Sequence, residues 1–157
     1  MAPGARTENS IVIDAPIDLV WDVSNDVAGW PKLFSEYAAA EVLHHEGDVV
    51  RFRLTLRPEE DGKVWSWVSE RTMDRANLRV TAHRIETGPF AFMHIDWRYR
   101  ETEHGVEMRW VQEFRMKPGA PLDDAGMADR INRNSRIQLD LIKERIEAEA
   151  HSRATTS

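Results

Sequence analysis

Residues 63–73, Lys-Val-Trp-Ser-Trp-Val-Ser-Glu-Arg-Thr-Met, place two indoles, a hydroxyl and a guanidinium at alternate positions. In a β-strand, alternation sends such residues to one face, which here carries Trp65, Trp67, Ser69, Arg71 and Met73. An unpaired guanidinium in a dry interior is costly, and an indole left in water forfeits a large apolar surface. The pattern therefore predicts an aromatic-lined, water-accessible cavity for a polar, partly flat ligand.

Neighbouring segments alternate in the same way and supply more residues for this cavity. Strands are predicted over 38–46, 49–57, 64–73, 78–87, 91–101 and 106–116, with short turns of Gly, Pro, Asn and Asp between them. Their inward faces carry polar and aromatic groups besides aliphatic ones, namely Ser69, Arg84, Met93, Trp97, Trp110 and Gln112. Six consecutive strands with short connections predict an antiparallel meander.

Helical patterns flank the meander. An opening strand over 6–14 is followed by Pro16, which suits the first turn of a helix over 17–25, and a second short helix is predicted over 32–37. From residue 122 the apolar period becomes helical and continues to residue 146. Two polar side chains lie near the apolar stripe of that long helix and are candidates to face the cavity, Asn134 and Gln138.

This order of elements predicts an α+β fold in which the sheet grips the terminal helix. A curved, seven-stranded antiparallel sheet would wrap around the long C-terminal helix, with two short helices and an interior cavity. The chain of 157 residues has room for one domain, predicted over 1–151, with a disordered tail over 152–157.

Composition excludes several classes of function. The net charge of −6 argues against nucleic acid as the main partner, and no apolar run approaches the roughly 18 residues of a membrane span. Cysteine is absent, which removes disulfides, thiolate metal sites and cysteine nucleophiles. The first ten residues lack signal-peptide features, so a cytoplasmic location is expected. No phosphate-binding loop or helical metal-ligand spacing occurs, and neither metal nor cofactor is expected.

Each candidate residue also has a structural interpretation that the sequence leaves open. The tryptophans could be ordinary core. Arg71 and Arg84 could form ion pairs with nearby glutamates, for which the candidates are Glu36, Glu70 and Glu86. Ser69 and Gln112 could satisfy backbone groups, and His94 with Asp96 could be a surface pair or a metal-ligand pair.

Several longer strings stand out, among them Trp30-Pro-Lys-Leu-Phe-Ser-Glu-Tyr37, Val64-Trp-Ser-Trp-Val-Ser-Glu-Arg71 and Met108-Arg-Trp-Val-Gln-Glu-Phe114. These strings resemble the monodomain aromatase/cyclases of bacterial type II polyketide synthases, of the tetracenomycin and spore-pigment kind. That family belongs to the START, or Bet v 1-like, helix-grip superfamily. The resemblance covers residues 6–148.

The resemblance implies a cofactor-independent enzyme of antibiotic or spore-pigment biosynthesis that acts with a minimal type II polyketide synthase. Its substrate would be a poly-β-ketone tethered by phosphopantetheine to an acyl carrier protein. The enzyme would close the first ring by aldol condensation between C9 and C14, then dehydrate and aromatise it. The family's pocket arginine and tyrosine fall on Arg71 and Tyr37.

Further positions match residues that line the family's cavity, namely Trp30, Phe34, Trp67, Ser69, Arg84, Met93, Trp97, Trp110 and Gln112. Because a guanidinium stays cationic, we expect Arg71 to polarise and anchor a carbonyl. We expect Tyr37 to donate a proton to the departing hydroxyl or to orient a water that does so.

A non-catalytic carrier of a lipid or aromatic natural product is the alternative, because the fold also hosts binding proteins. The presence of Arg71 together with Tyr37 favours the enzyme. Carrier proteins of such synthases are acidic, so basic contacts are expected at Arg51, Arg53 or Arg57.

Overall fold

The computed structural model describes residues 4–155. The first four elements are strand β1 (Ala5–Ile13), helix α1 (Ile17–Asn25), a short 3-10 turn (Val27–Gly29) and helix α2 (Trp30–Leu33). Six strands and one helix follow, which are β2 (Tyr37–Glu46), β3 (Val49–Leu56), β4 (Ser66–Asp74), β5 (Arg79–Arg84), β6 (Phe90–Thr102), β7 (Gly105–Met116) and α3 (Asp124–Thr155).

All seven strands form one antiparallel sheet in the order β1-β7-β6-β5-β4-β3-β2. Strands β2 to β7 are neighbours in sequence, as short turns require, and β1 adds to the free edge of β7. The register shifts within β2 and near the start of β6, where unpaired residues bend a strand. The curved sheet grips α3, so the predicted helix-grip fold is confirmed.

The core lies between the concave face of the sheet and the helices. Leu139, Ile142 and Ile146 of α3 recur at helical spacing and are buried against it, together with Leu19 and Val20 of α1. Helices α1 and α2 connect β1 to β2, which are the two edge strands of the sheet. Their buried side chains cover the part of the concave face that α3 leaves free. No helix between residues 4 and 155 combines the length and apolarity that a bilayer crossing requires.

The second short helix is displaced from its predicted position at 32–37. It spans Trp30–Leu33, with Pro31 in its first turn, and Phe34 already has extended backbone at ψ 146°. Tyr37 instead begins β2, where it pairs with Leu56. The aromatic side chains of this segment therefore come from a helix, a connection and a strand.

Two other predicted boundaries were wrong. β4 begins at Ser66 instead of residue 64, which leaves Trp65 in the β3–β4 connection. α3 continues to Thr155, so residues 152–155, predicted to be disordered, are helical, and an Arg153–Glu149 ion pair of 2.9 Å spans one of its last turns. Residues 156 and 157 of the predicted tail lie outside the described part of the chain.

The β6–β7 hairpin depends on a glycine. Gly105 has φ 134°, and a Cβ there would lie 2.1 Å from the carbonyl oxygen of Ile13. We predict that Gly105→Ala lowers the free energy of unfolding by about 3 kcal/mol, because backbone strain and a backbone clash combine. Gly62 also has positive φ but no atom within 4 Å, so Gly62→Ala should cost only about 1 kcal/mol. Urea denaturation of the two variants measures both changes in the free energy of unfolding. Equal losses of stability in Gly105→Ala and Gly62→Ala would contradict this explanation.

Candidate active site

The Arg71 side chain points inward from β4 and is only 1% exposed. Its Nε and Nη2 donate hydrogen bonds of 3.2 and 2.6 Å to Oδ1 of Asn25. The guanidinium carbon lies 4.2 Å from the centre of the Trp97 ring and 5.1 Å from that of Trp30. The cation is therefore held between an amide oxygen and two indole faces.

Asn25, the last residue of α1, was not foreseen as part of the site. Its Nδ2 donates to the carbonyl oxygen of Trp21 at 2.9 Å and to the Tyr99 hydroxyl at 3.3 Å. The Tyr99 hydroxyl also shares a 2.7 Å hydrogen bond with Ser24 Oγ. The sequence contains one indication of this contact. A buried arginine on β4 needs a hydrogen-bond acceptor, and Asn25 is a polar residue at the end of α1.

Arg84 of β5 provides a second guanidinium at the same interior. Its carbon lies 4.2 Å from the centre of the Trp67 ring and 4.9 Å from that of Phe90. Its Nη1 donates to the carbonyl oxygen of Thr87 at 3.0 Å. The Arg84 side chain thus bridges two groups of aromatic side chains.

Neither interior guanidinium has a carboxylate partner among the described residues. The glutamates considered as partners are engaged elsewhere, because Glu70 pairs with Arg51 at 2.8 Å and Glu86 with Arg53 at 3.0 Å on the outer face. The structural ion-pair interpretation is therefore wrong. Burial lowers the pKa of both Arg71 and Arg84 to about 10, so both remain cationic at neutral pH. Two cations without a protein anion favour a ligand with oxygen atoms that gain negative charge.

Four aromatic side chains predicted to line the cavity are in contact with one another. The Trp97 and Trp110 rings stack at 4.6 Å between centres, Trp30 and Trp97 at 6.0 Å, and Phe34 and Trp110 at 5.9 Å. Their exposed fractions are only 2–6%. These four rings face the interior, as predicted. Their mutual contacts, however, close the open cavity that was expected, because ring stacking buries apolar surface that an open space would leave in water.

Tyr37 lies at the edge of this aromatic cluster, at the first position of β2. Its ring centre is 5.0 Å from that of Phe34, 6.0 Å from Trp30 and 6.5 Å from Trp67. Burial, reinforced by the Glu36 carboxylate, raises the pKa of Tyr37 well above its usual value. The phenol therefore stays protonated at neutral pH.

The two polar residues of α3 make contacts other than the predicted ones. Gln138 accepts a hydrogen bond from the Ser35 backbone nitrogen at 2.9 Å and donates one of the same length to Ser35 Oγ. Asn134 donates to the Glu36 carboxylate at 2.5 Å. Both side chains therefore join α3 to Ser35 and Glu36, the two residues before Tyr37.

Two other predicted lining residues lie outside the aromatic cluster. The Trp65 indole donates to Glu59 at 3.0 Å, with the Lys63 ammonium 4.2 Å from the ring centre, in the β3–β4 connection. Met93 is buried in a second apolar cluster with Phe90, Phe114 and Met116. Trp65 does not lie on the inward face of the sheet because β4 begins one residue after it.

Ser69 and Gln112 face the interior as predicted. Ser69 is buried between Trp67 and Arg71 on β4, and Gln112 is half-buried on β7. Within residues 4–155 their side chains make no hydrogen bond, so the alternative that they satisfy backbone groups is wrong.

The outer face of the sheet carries His94 and Asp96, the pair considered as metal ligands. No group of three or more His, Asp or Glu side chains in the described part of the chain could hold a metal ion. Asp96, a possible partner of His94, instead accepts from Arg79 at 2.8 Å and from Arg98 at 3.3 Å. The pair is thus a surface feature.

Glu36 allows a pH-dependent test of the segment before Tyr37. Burial raises the pKa of the Glu36 carboxyl, although the Asn134 hydrogen bond opposes the shift. A raised pKa in the folded state means that stability is greatest below the unfolded pKa of about 4.5 and falls as pH rises through the folded pKa. We predict that Glu36→Gln raises the free energy of unfolding at pH 7 and that this gain shrinks towards pH 4.

Urea unfolding at the two pH values measures this effect. Glu103→Gln, in the exposed β6–β7 turn, is the matched control and should leave stability unchanged at both. A Glu36→Gln protein less stable than the parent at pH 7 would contradict the prediction.

Known proteins resemble this chain in both sequence and fold. The family described as polyketide cyclase/dehydrase and lipid transport matches residues 4–147. A protein of Streptomyces cyaneus named as a polyketide cyclase is 63% identical over 90% of this chain and 93% of its own length. The actinorhodin polyketide synthase bifunctional cyclase/dehydratase of Streptomyces coelicolor is 28% identical over 85% of this chain and 42% of its own length.

The fold also matches a solved structure. The crystal structure of an aromatase/cyclase from Streptomyces sp. R1128 superposes with a TM-score of 0.80 at 22% identity, covering 91% of this chain and 93% of that one. The sequence match over residues 4–147, the high identity to a cyclase and the shared helix-grip fold agree. The chain belongs to the polyketide cyclase/dehydrase and lipid transport family.

Proposed function

We propose that this chain is the aromatase/cyclase of a type II polyketide synthase. It closes the first ring of a poly-β-ketone held on an acyl carrier protein, between C9 and C14, and dehydrates that ring towards aromaticity. The observation that carries the proposal is Arg71, a buried cation in an aromatic interior that has no carboxylate partner among residues 4–155. Family membership supports cyclisation, and the C9–C14 position rests on the sequence resemblance.

The reaction needs acid–base chemistry and a controlled chain conformation. A methylene between two ketones loses a proton to water, and its carbon attacks the ketone carbon that completes a six-membered ring. As the new C–C bond forms, the ketone π electrons move to oxygen, and the alkoxide takes a proton. Loss of that hydroxyl with a neighbouring hydrogen as water forms a double bond, and enolisation of the remaining ketones completes the aromatic ring. Because no oxidation or reduction occurs, the proposal requires no cofactor.

Arg71 is suited to the oxygen that becomes negative. A guanidinium has five N–H groups, and Asn25 accepts from one on Nε and one on Nη2, so three remain for substrate. The aromatic surroundings lower the local dielectric constant, which strengthens a hydrogen bond to a developing enolate or alkoxide. The same surroundings raise the free energy of an unpaired cation. Arg71 therefore stabilises the substrate most when negative charge develops on an oxygen beside it.

Tyr37 and the aromatic rings supply the remaining functions. The neutral Tyr37 phenol can donate its proton to the hydroxyl that leaves as water. Flat walls formed by Trp30, Trp97 and Trp110 can hold the reacting carbons together, which removes much of the entropic barrier. Since these rings touch one another, the substrate must separate them as it enters.

The acyl carrier protein remains the proposed partner, but the residues first suggested for its contact are already engaged. Arg51 and Arg53 are paired with glutamates, and Arg57 donates to the Ser35 carbonyl oxygen at 2.9 Å. A paired guanidinium attracts an acidic surface weakly. Relatives named as parts of polyketide synthases support the partnership itself.

Reconstitution with a minimal type II polyketide synthase and its carrier protein tests this function. The parent chain should direct products towards one first-ring closure, and Arg71→Ala should lower the ratio of that product to shunt products about a hundredfold. Arg51→Ala removes an arginine of the same sheet from the outer face and should leave the ratio unchanged. A non-catalytic carrier of a lipid or aromatic natural product would bind its ligand without changing this product ratio. Identical product ratios with the parent chain, with Arg71→Ala and with no added chain would therefore reject the proposed enzyme function.

A further inference from the structure

Two buried polar atoms in residues 4–155 have no hydrogen-bond partner, Oγ1 of Thr7 and Nε1 of Trp110. The two residues are only 3% and 6% exposed. Buried donors and acceptors are nearly always paired in native proteins, because an unpaired one loses its bonds to water without replacement. Both atoms are therefore candidates for contact with a ligand.

Thr7 and Trp110 lie next to each other on one wall of the interior. In the β1–β7 pairing Thr7 is opposite Gln112 and Asn9 is opposite Trp110, so Thr7 and Trp110 are diagonal neighbours. Strand alternation directs Thr7, Trp110 and Gln112 to the same concave face. Within residues 4–155 the Gln112 side chain also has no hydrogen bond, so this wall carries three polar groups without partners in that part of the chain.

This wall lies across one ring from the cation. The Arg71 guanidinium carbon is 4.2 Å from the centre of the Trp97 ring. That ring stacks on Trp110 at 4.6 Å, with 11° between the two planes. Arg71 and the unpaired groups of β1 and β7 therefore flank the same aromatic side chain from opposite sides.

We propose that Thr7 and Trp110 form a second hydrogen-bonding site for the substrate, which holds one oxygen of the poly-β-ketone while Arg71 holds another. This inference rests on the proposed function. The indole N–H can only donate and therefore selects a ketone or enol oxygen, whereas the Thr7 hydroxyl can donate to a ketone or accept from an enol. A chain with an oxygen on every second carbon can meet both sites at once. Fixing two oxygens determines which carbons meet, so Thr7 and Trp110 act in the choice of ring position.

A replacement that keeps shape and removes the polar atom separates this role from a structural one. Thr7→Val deletes only a hydroxyl that has no partner within residues 4–155, so its thermal unfolding midpoint should be equal to or above that of the parent. Trp110→Phe also removes ring surface that stacks on Trp97 and Phe34, so its midpoint should fall. The ratio of the correct first-ring product to other products should fall about three- to tenfold in each, as expected for one lost hydrogen bond to substrate.

The experiment uses the full chain with the minimal synthase and carrier protein that generate the substrate in place. Thr81→Val, on the outer face of β5, is the matched control and should change neither midpoint nor product ratio. If both interior variants keep the parent's product ratio while Arg71→Ala loses it, the second site is refuted and the proposed function stands. If Arg71→Ala also keeps the ratio, the proposed function fails as well.

A lower midpoint of Thr7→Val with unchanged products would show that the Thr7 hydroxyl is structural and would overturn the inference. Should Trp110→Phe fail to fold, Thr7→Val decides alone, since valine and threonine have nearly the same shape. Its product ratio then either falls, as predicted, or matches that of the parent and refutes the site.

Discussion

The burial of a guanidinium without a carboxylate is the constraint on which the site depends. Removing Arg71 from water costs free energy, and an ion pair would be the usual compensation. Here the compensation comes from two hydrogen bonds to Asn25 and from the faces of Trp97 and Trp30, each face contributing roughly 1–2 kcal/mol. None of these partners neutralises the charge. The cation therefore remains available to an oxygen that becomes negative during a reaction.

The two faces of the sheet show how this charge is kept unpaired. On the outer face, arginines meet carboxylates across neighbouring strands, as Arg51 does with Glu70 and Arg79 with Asp96. On the inner face the same strands present Arg71 and Arg84 to aromatic rings. Alternation along each strand separates the two sets, so a glutamate that neutralises an outer arginine cannot reach an inner one. The helix-grip fold then covers the inner set with α1, α2 and α3.

Strand parity explains why much of this was predictable and where prediction failed. Trp67 and Arg71 were placed correctly because alternation is fixed once a strand exists, but Trp65 was lost to a boundary error of two residues. Gln138 lies on the predicted stripe of α3, yet its partner is a loop whose position only the folded chain reveals. Closure of the cavity depends on side-chain rotamers, and the unpaired Thr7 hydroxyl depends on what surrounds it. Sequence periodicity specifies neither.

The free energy of unfolding of Arg71→Met, measured by urea denaturation at pH 7, tests the central claim most directly. Methionine keeps the apolar stem, removes the charge and leaves Oδ1 of Asn25 without its donor, so a cation retained for chemistry predicts stability within about 2 kcal/mol of the parent. If Arg71 were instead a structural residue whose contacts hold the core together, the substitution would lower stability by about 3 kcal/mol or more. That result would contradict the account.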